Sequence, residues 1–288
     1  ATLISELRKG EQKRSVAGTS EDRIAWIIGC GRTGSTWLAE MLGDLPRIRR
    51  WHEPYFGRFM KHVSERPEEL DRRSSFFSAD HQDVWLEGIR ELFFKMVRER
   101  YPQFGRHSLA IKEVNTPELY GWLQRLFPVG RMVLLVRDPF DILDSYLDLQ
   151  KPGSWNTRFG DSTAATSEAR LRRTAEHIRD SMGLAVDAFD AFPLMQRLRI
   201  SYEELLDDPV PRLTACGELV SVQVNPRVAL RVAEKHRFEN YKKTGELEFR
   251  RRGRAGVWKD SQNFSEELLQ IAREVLGPLR ARLGYDDA

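Results

Sequence analysis

The sequence predicts an α/β domain with a central, mostly parallel sheet flanked by helices. Three short apolar runs, at 24–29, 108–114 and 132–136, have the length and continuous hydrophobicity of strands that are buried on both faces. Segments with the apolar spacing of helices lie between and after these runs. Parallel neighbours need a crossover connection, which helices supply, so this alternation favours a parallel sheet.

The length and composition are those of one large folded domain. The chain has 288 residues, of which 41% are hydrophobic and 31% charged, enough to bury a substantial core. Residues 1–22 are polar and predict a solvated leader, and residues 23–288 are predicted to form the domain. The sequence contains no internal repeat and leaves the oligomeric state open.

Charge, cysteines and hydropathy exclude several classes of protein. A net charge of +3 is too small to indicate a nucleic-acid partner. Two cysteines cannot form a disulfide framework, which favours a cytoplasmic location, and the six histidines lack metal-ligand spacing. No apolar stretch is long enough for membrane insertion.

The helical segments follow the strands in order along the chain. Apolar spacing and Pro, Gly or Ser breaks predict helices at 36–45, within 58–107, at 117–127, from 142, at 168–189 and over much of the chain from 225 except 244–260. The segment "RIRRWHEP" is predicted to lead back toward the sheet, and "LRISYEELLDDP" to hold a short strand and a helix start. The helical part 58–107 and the long loop 150–167 are predicted to cover an acceptor site.

A glycine-rich turn follows the first predicted strand. In "IIGCGRTGSTWL", residues 27–38, backbone N–H groups at a strand-to-helix turn predict a site for a phosphate or sulfate. The nucleoside triphosphatase loop G-x-x-x-x-G-K-[ST] does not match, because Ser35 stands where that loop has lysine and the positive charge has moved to Arg32. The best candidate for a magnesium-binding acid, Asp138, directly follows Arg137.

The turn "GCGRTGSTWL" resembles the 5′-phosphosulfate loop of sulfotransferases that use 3′-phosphoadenosine 5′-phosphosulfate (PAPS). Arg32 stands where cytosolic members have a lysine, and in this respect the loop is similar to that of carbohydrate, tyrosylprotein and bacterial members. The resemblance implies that the 5′-phosphosulfate is held by Arg32, Thr33, Gly34, Ser35 and Thr36. It also places Trp37 near the adenine, whereas plain packing against the sheet explains that tryptophan equally well.

Three further segments extend the resemblance. "VLLVRDPFDILDSY" is similar to the second family motif, which implies that Arg137 and Ser145 bind the 3′-phosphate of the donor. "ISYEELLDDP" resembles the segment whose tyrosine approaches the adenine, here Tyr202, although its acids could simply cap a helix. "RRGRAGVWKD" resembles the terminal motif that closes over the 3′-phosphate, which implies a role for Arg251, Arg252 and Gly253; a solvated basic loop is the alternative.

The general base is the point at which the sequence departs from the cytosolic members. Those have a histidine shortly after a lysine on the middle strand, but the segment here is "AIKEVNT". Tyrosylprotein and some bacterial members use a glutamate after the first helix, which implies Glu53 in "WHEPYF". His52 is the second candidate and Glu113 the third, and Glu53 could instead cap a helix or pair with Arg49 or Arg50.

Lys112 and Arg32 are the candidates that stabilise the leaving oxygen. A lysine in an otherwise buried strand needs an anion nearby, and the resemblance implies that Lys112 acts with the loop arginine. Cys30 is predicted to be a small residue beside the turn rather than a nucleophile.

Together with the resemblance to PAPS-dependent sulfotransferases, which implies a P-loop-like sheet, the sequence predicts a single-domain sulfotransferase. It would transfer a sulfuryl group in line from PAPS to a hydroxyl of a small-molecule, carbohydrate or lipid-like acceptor and release 3′-phosphoadenosine 5′-phosphate (PAP), with no metal. Two alternatives stay open: a metal-dependent P-loop kinase or NTPase, and a non-catalytic protein that binds PAP or PAPS.

Overall fold

A five-stranded, entirely parallel sheet forms the centre of the protein. The computed structural model describes residues 21–64, 76–151, 166–240 and 253–285. The strands, in the spatial order β2-β3-β1-β4-β5, are β1 (Ile24–Gly29), β2 (Ile48–His52), β3 (Ser108–Lys112), β4 (Arg131–Val136) and β5 (Arg197–Ser201). The predicted α/β fold is confirmed, and the segment expected only to return toward the sheet contains β2.

Helices connect these strands and cover both faces of the sheet. They are α1 (Ser35–Asp44), α2 (Phe56–Ser64), α3 (Gln82–Arg100), α4 (Tyr120–Leu126), α5 (Pro139–Leu149), α6 (Ser167–Ala191), α7 (Tyr202–Asp207), α8 (Pro209–Leu219), α9 (Pro226–Lys235) and α10 (Glu266–Leu283). Proline occupies the first helical position of α5, α8 and α9, where its missing N–H costs nothing. Among the described residues, no helix combines the length and hydrophobicity that a membrane span requires.

Alternating side chains of each central strand enter two separate cores. On β1, Trp26 and Ile28 face a core shared with α2 to α6 and α10, whereas Ala25 and Ile27 face a core shared with α1 and α7 to α9. Burial on both faces explains why β1, β3 and β4 are nearly continuous apolar runs in the sequence.

The strand order determines where a site can form. Because all five strands are parallel, their carboxyl ends lie at one edge, and β1 lies between β3 and β4. The crevice outside the carboxyl ends, where the connections diverge to opposite sides, is the usual binding position in such sheets. The glycine-rich turn after β1, Lys112 at the end of β3 and Arg137 after β4 all lie at this edge.

A buried ion pair joins the last helix to this edge. Arg280 on α10 donates from Nε to Asp138 Oδ1 at 3.0 Å and from a terminal nitrogen to Oδ2 at 3.1 Å, and both side chains are almost fully buried. Asp138 also caps α5 by accepting the Phe140 N–H at 2.9 Å. The carboxylate is therefore part of the structural core.

We expect Arg280→Met to lower the free energy of unfolding by about 3–5 kcal/mol, because it leaves the Asp138 carboxylate buried without its cation. Arg172→Met is the matched control: Arg172 makes a similar two-nitrogen contact with Glu274, at 3.3 and 3.2 Å, between the same helix α10 and α6, but on the surface. Urea unfolding of both variants measures the difference. Equal unfolding midpoints for the two variants would contradict this account.

Candidate functional site

The glycine-rich turn leads directly from the carboxyl end of β1 into α1, so the first N–H groups of α1 lie at the strand edge. Gly34 has φ = 90°, a conformation that favours glycine, and a Cβ there would lie 2.7 Å from Tyr202 Cδ2. Thr33 donates its hydroxyl to the Cys30 carbonyl at 2.9 Å and so closes the turn. No side chain among the described residues caps α1, which leaves its first N–H groups suited to an anion.

Arg32 and Arg137 lie next to each other across this turn. The Arg32 backbone has φ = 70°, and its Nε donates to Ser145 Oγ on α5 at 3.0 Å. Arg137 donates from one terminal nitrogen to the Arg32 carbonyl at 3.2 Å. The two predicted phosphate motifs thus meet directly, since Ser145 and Arg137 both contact Arg32.

The Arg137 guanidinium also contacts Tyr202 and Asp141, and it retains one unused donor. It stacks 4.3 Å from the centre of the Tyr202 ring, and a terminal nitrogen lies 3.6 Å from Asp141 Oδ2, one helical turn later. Its buried Nε has no hydrogen-bond partner among the described residues. Such a fork-shaped cation suits an anion with several oxygen atoms.

Asp141 attaches the segment after residue 252 to this site. Its buried carboxylate accepts the Gly256 N–H at 2.8 Å and the Trp258 N–H at 3.1 Å. Burial raises the pKa of Asp141, and the nearby Arg137 charge opposes that rise. The Arg254 carbonyl accepts from Arg137 at 3.4 Å, so the segment lies against the arginine.

Lys112 and Glu53 form a buried ion pair on the other side of the turn. The ammonium contacts Glu53 Oε1, Asn115 donates its side-chain N–H to Oε2, and the Glu53 N–H donates to the Lys112 carbonyl at 2.8 Å. Only 6% of the Lys112 side chain and 7% of the Glu53 side chain are exposed. Burial lowers the pKa of Lys112, while the negative charge of Glu53 raises it.

The site thus combines a turn that suits an anion with a buried carboxylate beside a lysine. Comparison with known proteins identifies the family to which the chain belongs. The family model described as "Sulfotransferase family" matches residues 25–256, which include the glycine-rich turn, the Glu53–Lys112 pair and Arg137. The chain belongs to the sulfotransferase family. Among curated protein sequences, none is significantly similar to it.

Solved structures share the fold of this sulfotransferase at low sequence identity. The sulfotransferase domain from the curacin biosynthetic pathway is 15% identical with a TM-score of 0.58, covering 92% of this chain and 98% of that one. Mouse sulfotransferase SULT7A1 complexed with PAP is 16% identical with a TM-score of 0.55, covering 95% and 94%. The sulfotransferase domain of the Synechococcus PCC 7002 olefin synthase is 17% identical with a TM-score of 0.53, covering 92% and 95%.

The two aromatic residues predicted near the adenine are both buried. Trp37 packs against Tyr202 and Phe238, with ring centres 6.1 and 5.0 Å apart, and donates its indole N–H to the His236 carbonyl at 2.8 Å. The predicted core packing of Trp37 is therefore present, and contact with an adenine stays a prediction for both rings. Glu204 completes a capping box with Ser201, so an acid of this segment does cap its helix.

Two candidates from the basic terminal motif, Arg251 and Arg252, lie outside the described residues, as does most of the predicted cover loop 150–167. Gly253 is described: it has φ = 51°, and a Cβ there would lie 2.5 Å from the Phe238 ring. The position therefore requires glycine, whatever ligand the motif meets.

The structure distinguishes among the predicted acid and base groups. Glu53 pairs with Lys112 instead of Arg49 or Arg50, whereas His52, which is only partly exposed, lies opposite Lys112 in the register of β2 and β3. Burial raises the pKa of the Cys30 thiol to about 12, so this cysteine is a poor nucleophile.

Sequence reasoning missed three residues that shape the site. Tyr146 limits the space beside the turn, since a Cβ on Gly31 would lie 2.3 Å from its hydroxyl. The Tyr120 hydroxyl lies 2.8 Å from the Gly29 carbonyl oxygen and 2.9 Å from that of Glu113, joining β1 to the end of β3. The third residue is Asp141, which binds the segment after residue 252. It is the only one of the three with a signal in the sequence, because it lies four residues after Arg137.

We expect the imidazole of His52 to titrate below its ordinary pKa, because partial burial and the positive charge of Lys112 disfavour the protonated ring. Lys112→Gln should raise that pKa, whereas Lys95→Gln, an exposed lysine on α3, should leave it unchanged. Proton NMR titration, with the His52 signal assigned by its loss in His52→Gln, measures both. An unchanged pKa of His52 in Lys112→Gln would contradict the role of the Lys112 charge in lowering that pKa.

The lowered pKa of His52 also determines how this residue makes the stability of the fold depend on pH. The folded protein binds fewer protons at His52 than the unfolded chain between its lowered pKa and the unfolded value of about 6.5. The His52 contribution therefore becomes less favourable to folding as the pH falls through that interval.

Proposed function

We propose that this sulfotransferase transfers a sulfuryl group from PAPS to a hydroxyl of a small-molecule acceptor and releases PAP. The observation that carries the proposal is the arrangement of Arg32, Lys112 and Glu53 around the amino end of α1. Two cations and the first N–H groups of α1, which have no partner within the helix, suit the phosphosulfate, and a carboxylate beside them suits the acceptor proton.

In this proposal the donor is held by both phosphate motifs. Its 5′-phosphosulfate lies over the turn that contains Arg32 and Ser35, with the remaining contacts from Thr33, Gly34 and Thr36. Its 3′-phosphate is bound by Arg137 and Ser145, with Arg251, Arg252 and Gly253 closing over it, and its adenine lies near Trp37 and Tyr202. The unused Nε donor of Arg137 and the direct contacts among Arg32, Arg137 and Ser145 support a site for two phosphate groups.

The transfer step needs a group that takes the proton of the acceptor hydroxyl and cations that stabilise the negative charge on the leaving phosphate. The acceptor oxygen forms a bond to sulfur while the bond from sulfur to the 5′-phosphate oxygen breaks. The hydroxyl proton passes to the Glu53 carboxylate, and the negative charge that develops on the leaving phosphate faces Arg32 and Lys112. The pairing of Glu53 with Lys112 supports this assignment, since it brings the acceptor and leaving-group sides of the reaction together.

The surroundings of Glu53 favour an acceptor with an apolar body. Tyr55, just before α2, and Phe59, within α2, are 44% and 39% exposed, and Phe56 stacks on Phe59 with ring centres 6.0 Å apart. Exposed rings beside a polar centre are typical of sites that bind largely apolar small molecules. A lipid-like acceptor fits this surface best, and a carbohydrate could use only the apolar face of a sugar ring on these aromatic side chains; Phe59 belongs to the predicted cover segment 58–107. A cytoplasmic location stays a prediction that rests on the two cysteines, both free thiols.

The kinase or NTPase alternative has less support. Ser35 occupies the place of the catalytic lysine, and the acid after β4, Asp138, has both carboxylate oxygens bonded to Arg280. Arg137 precedes it and would oppose a cation there. The alternative of a non-catalytic PAP- or PAPS-binding protein is separated from an enzyme by the Glu53 experiment below.

Calorimetric titration with PAP, adenosine 5′-phosphosulfate and ATP–Mg²⁺ tests the donor. We expect the wild-type protein to prefer PAP, and Arg137→Met to weaken PAP binding by about 10- to 150-fold while affecting adenosine 5′-phosphosulfate less, because one or two charge-assisted hydrogen bonds are lost. The surface variant Arg172→Met is the control and should bind PAP as wild type does. A wild-type preference for ATP–Mg²⁺, or for no nucleotide, would overturn the proposal.

Glu53→Gln tests the base. Turnover of PAPS with a panel of hydroxyl acceptors should fall by about 10²–10⁴-fold, because the amide cannot take the acceptor proton, while PAP affinity should stay close to wild type. Glu118→Gln changes a surface carboxylate that pairs with Lys61 and should keep full turnover. Near wild-type turnover in Glu53→Gln would transfer the role to His52 or Glu113.

A further inference from the structure

The connection that carries Glu53 has an unusual backbone. Glu53 has φ = 43° and Tyr55 has φ = 55°, so two non-glycine residues adopt left-handed conformations on either side of Pro54. Each costs free energy and persists only where surrounding contacts hold it. Some group must therefore fix the chain between β2 and α2, because the position of the Glu53 carboxylate depends on it.

Glu113 supplies that fixation. Its side chain is completely buried, Oε2 accepts the Phe56 N–H at 3.1 Å, and Oε1 accepts the hydroxyl of Thr116. The Phe56 N–H belongs to the first residue of α2, where no intrahelical partner exists. The carboxylate thus ties the amino end of α2 to the segment that follows β3.

Close packing restricts the same junction. A Cβ on Gly57 would lie 2.4 Å from Thr116 Oγ1 and 2.5 Å from the Thr116 carbonyl oxygen, so the start of α2 is pressed directly against Thr116. The Glu113 N–H donates to the Ile27 carbonyl at 3.1 Å, which anchors Glu113 to β1. The chain of contacts therefore runs from β1 through Glu113 to the base of α2.

These contacts also distinguish Glu113 from a proton acceptor. Both carboxylate oxygens already accept hydrogen bonds, and no part of the side chain is exposed. Burial raises the pKa of Glu113, and the charge of Glu53 raises it further, while Lys112 and the two hydrogen bonds lower it. A group in this position contacts neither an acceptor nor a donor molecule from the strand edge.

We propose that Glu113 is a positioning residue, which holds the first turn of α2 so that the Glu53 carboxylate stays beside Lys112. The role of Glu53 as base comes from the proposed function, whereas the structural tie between Glu113 and Phe56 does not depend on it. A displacement of about 1 Å at a reacting group costs up to about 10²-fold in rate, so this tie has consequences for turnover.

The test compares Glu113→Gln with Glu113→Ala by two measurements. The side-chain amide in Glu113→Gln retains an oxygen for the Phe56 N–H and can donate to the Thr116 hydroxyl, so we expect exchange and turnover within about threefold of wild type. Alanine removes both contacts, so amide hydrogen exchange in peptides covering residues 53–60 should accelerate at least about tenfold. Its kcat should fall by about 10–10²-fold, with PAP affinity and the KM for PAPS unchanged.

Two results overturn the proposal. Glu113→Gln as inactive as Glu53→Gln, with wild-type exchange at 53–60, would make Glu113 a proton-transfer group. Wild-type exchange in Glu113→Ala would mean that the α2 junction is held without it. Hydrogen exchange can be measured without a sulfuryl acceptor, so it tests the contact between Glu113 and α2 even if no sulfuryl transfer is found. A failure of the proposed function can therefore be distinguished from a failure of this proposal.

Thr116→Val serves if Glu113→Ala does not fold. It removes the hydroxyl donor to Oε1 at nearly constant volume and should accelerate exchange at 53–60, whereas Thr116→Ser keeps the hydroxyl and should restore protection. Equal exchange in the valine and serine variants would count against the proposal.

Discussion

A lysine ammonium buried at the end of a parallel strand requires an anion beside it, and much of this site follows from that requirement. Water cannot solvate Lys112 at the end of β3, so an unpaired charge there would cost several kcal/mol, on the order of the penalty for any buried ion. Glu53 is the described carboxylate that meets it, and it comes from a different connection. Because β2 pairs with β3 in a register that sets His52 opposite Lys112, Glu53 is the next residue along the chain, and its N–H bond to the Lys112 carbonyl holds it beside the lysine.

The parallel sheet concentrates positive charge at the same edge. Because β1 lies between β3 and β4, the turn with Arg32, the end of β3 with Lys112 and the start of α5 with Arg137 are neighbours. Like charges this close destabilise each other unless anions balance them. Glu53 on one side and Asp141 on the other supply part of that balance from the protein. In the proposed function, the phosphate groups of the donor would complete it.

Much of this organisation was predictable from local pattern. The apolar runs of β1, β3 and β4 are visible because each strand is buried on both faces, and the two phosphate motifs are local sequences at strand ends. The strand β2 was not predicted, because it lies at the sheet edge and exposes Arg49 and Arg50, so it lacks a continuous apolar run. The ion-pair partner of Glu53 could not be predicted from local sequence either. The nearest cations in sequence are those two arginines, but the partner is Lys112, 59 residues away.

Amino-acid pattern alone was sufficient for the α/β class, the position of the glycine-rich turn after β1, the arginine after β4 and the candidacy of Glu53 and Lys112, since each depends on residues close together in the chain. Which carboxylate pairs with the lysine and which one anchors a helix depended on tertiary structure. Glu53 and Glu113 differ little in sequence signal, but the parallel crossover places Glu53 beside Lys112 and buries Glu113 beneath α2. Contacts between segments far apart in the chain arise only when the whole sheet is assembled, so no local spacing encodes them.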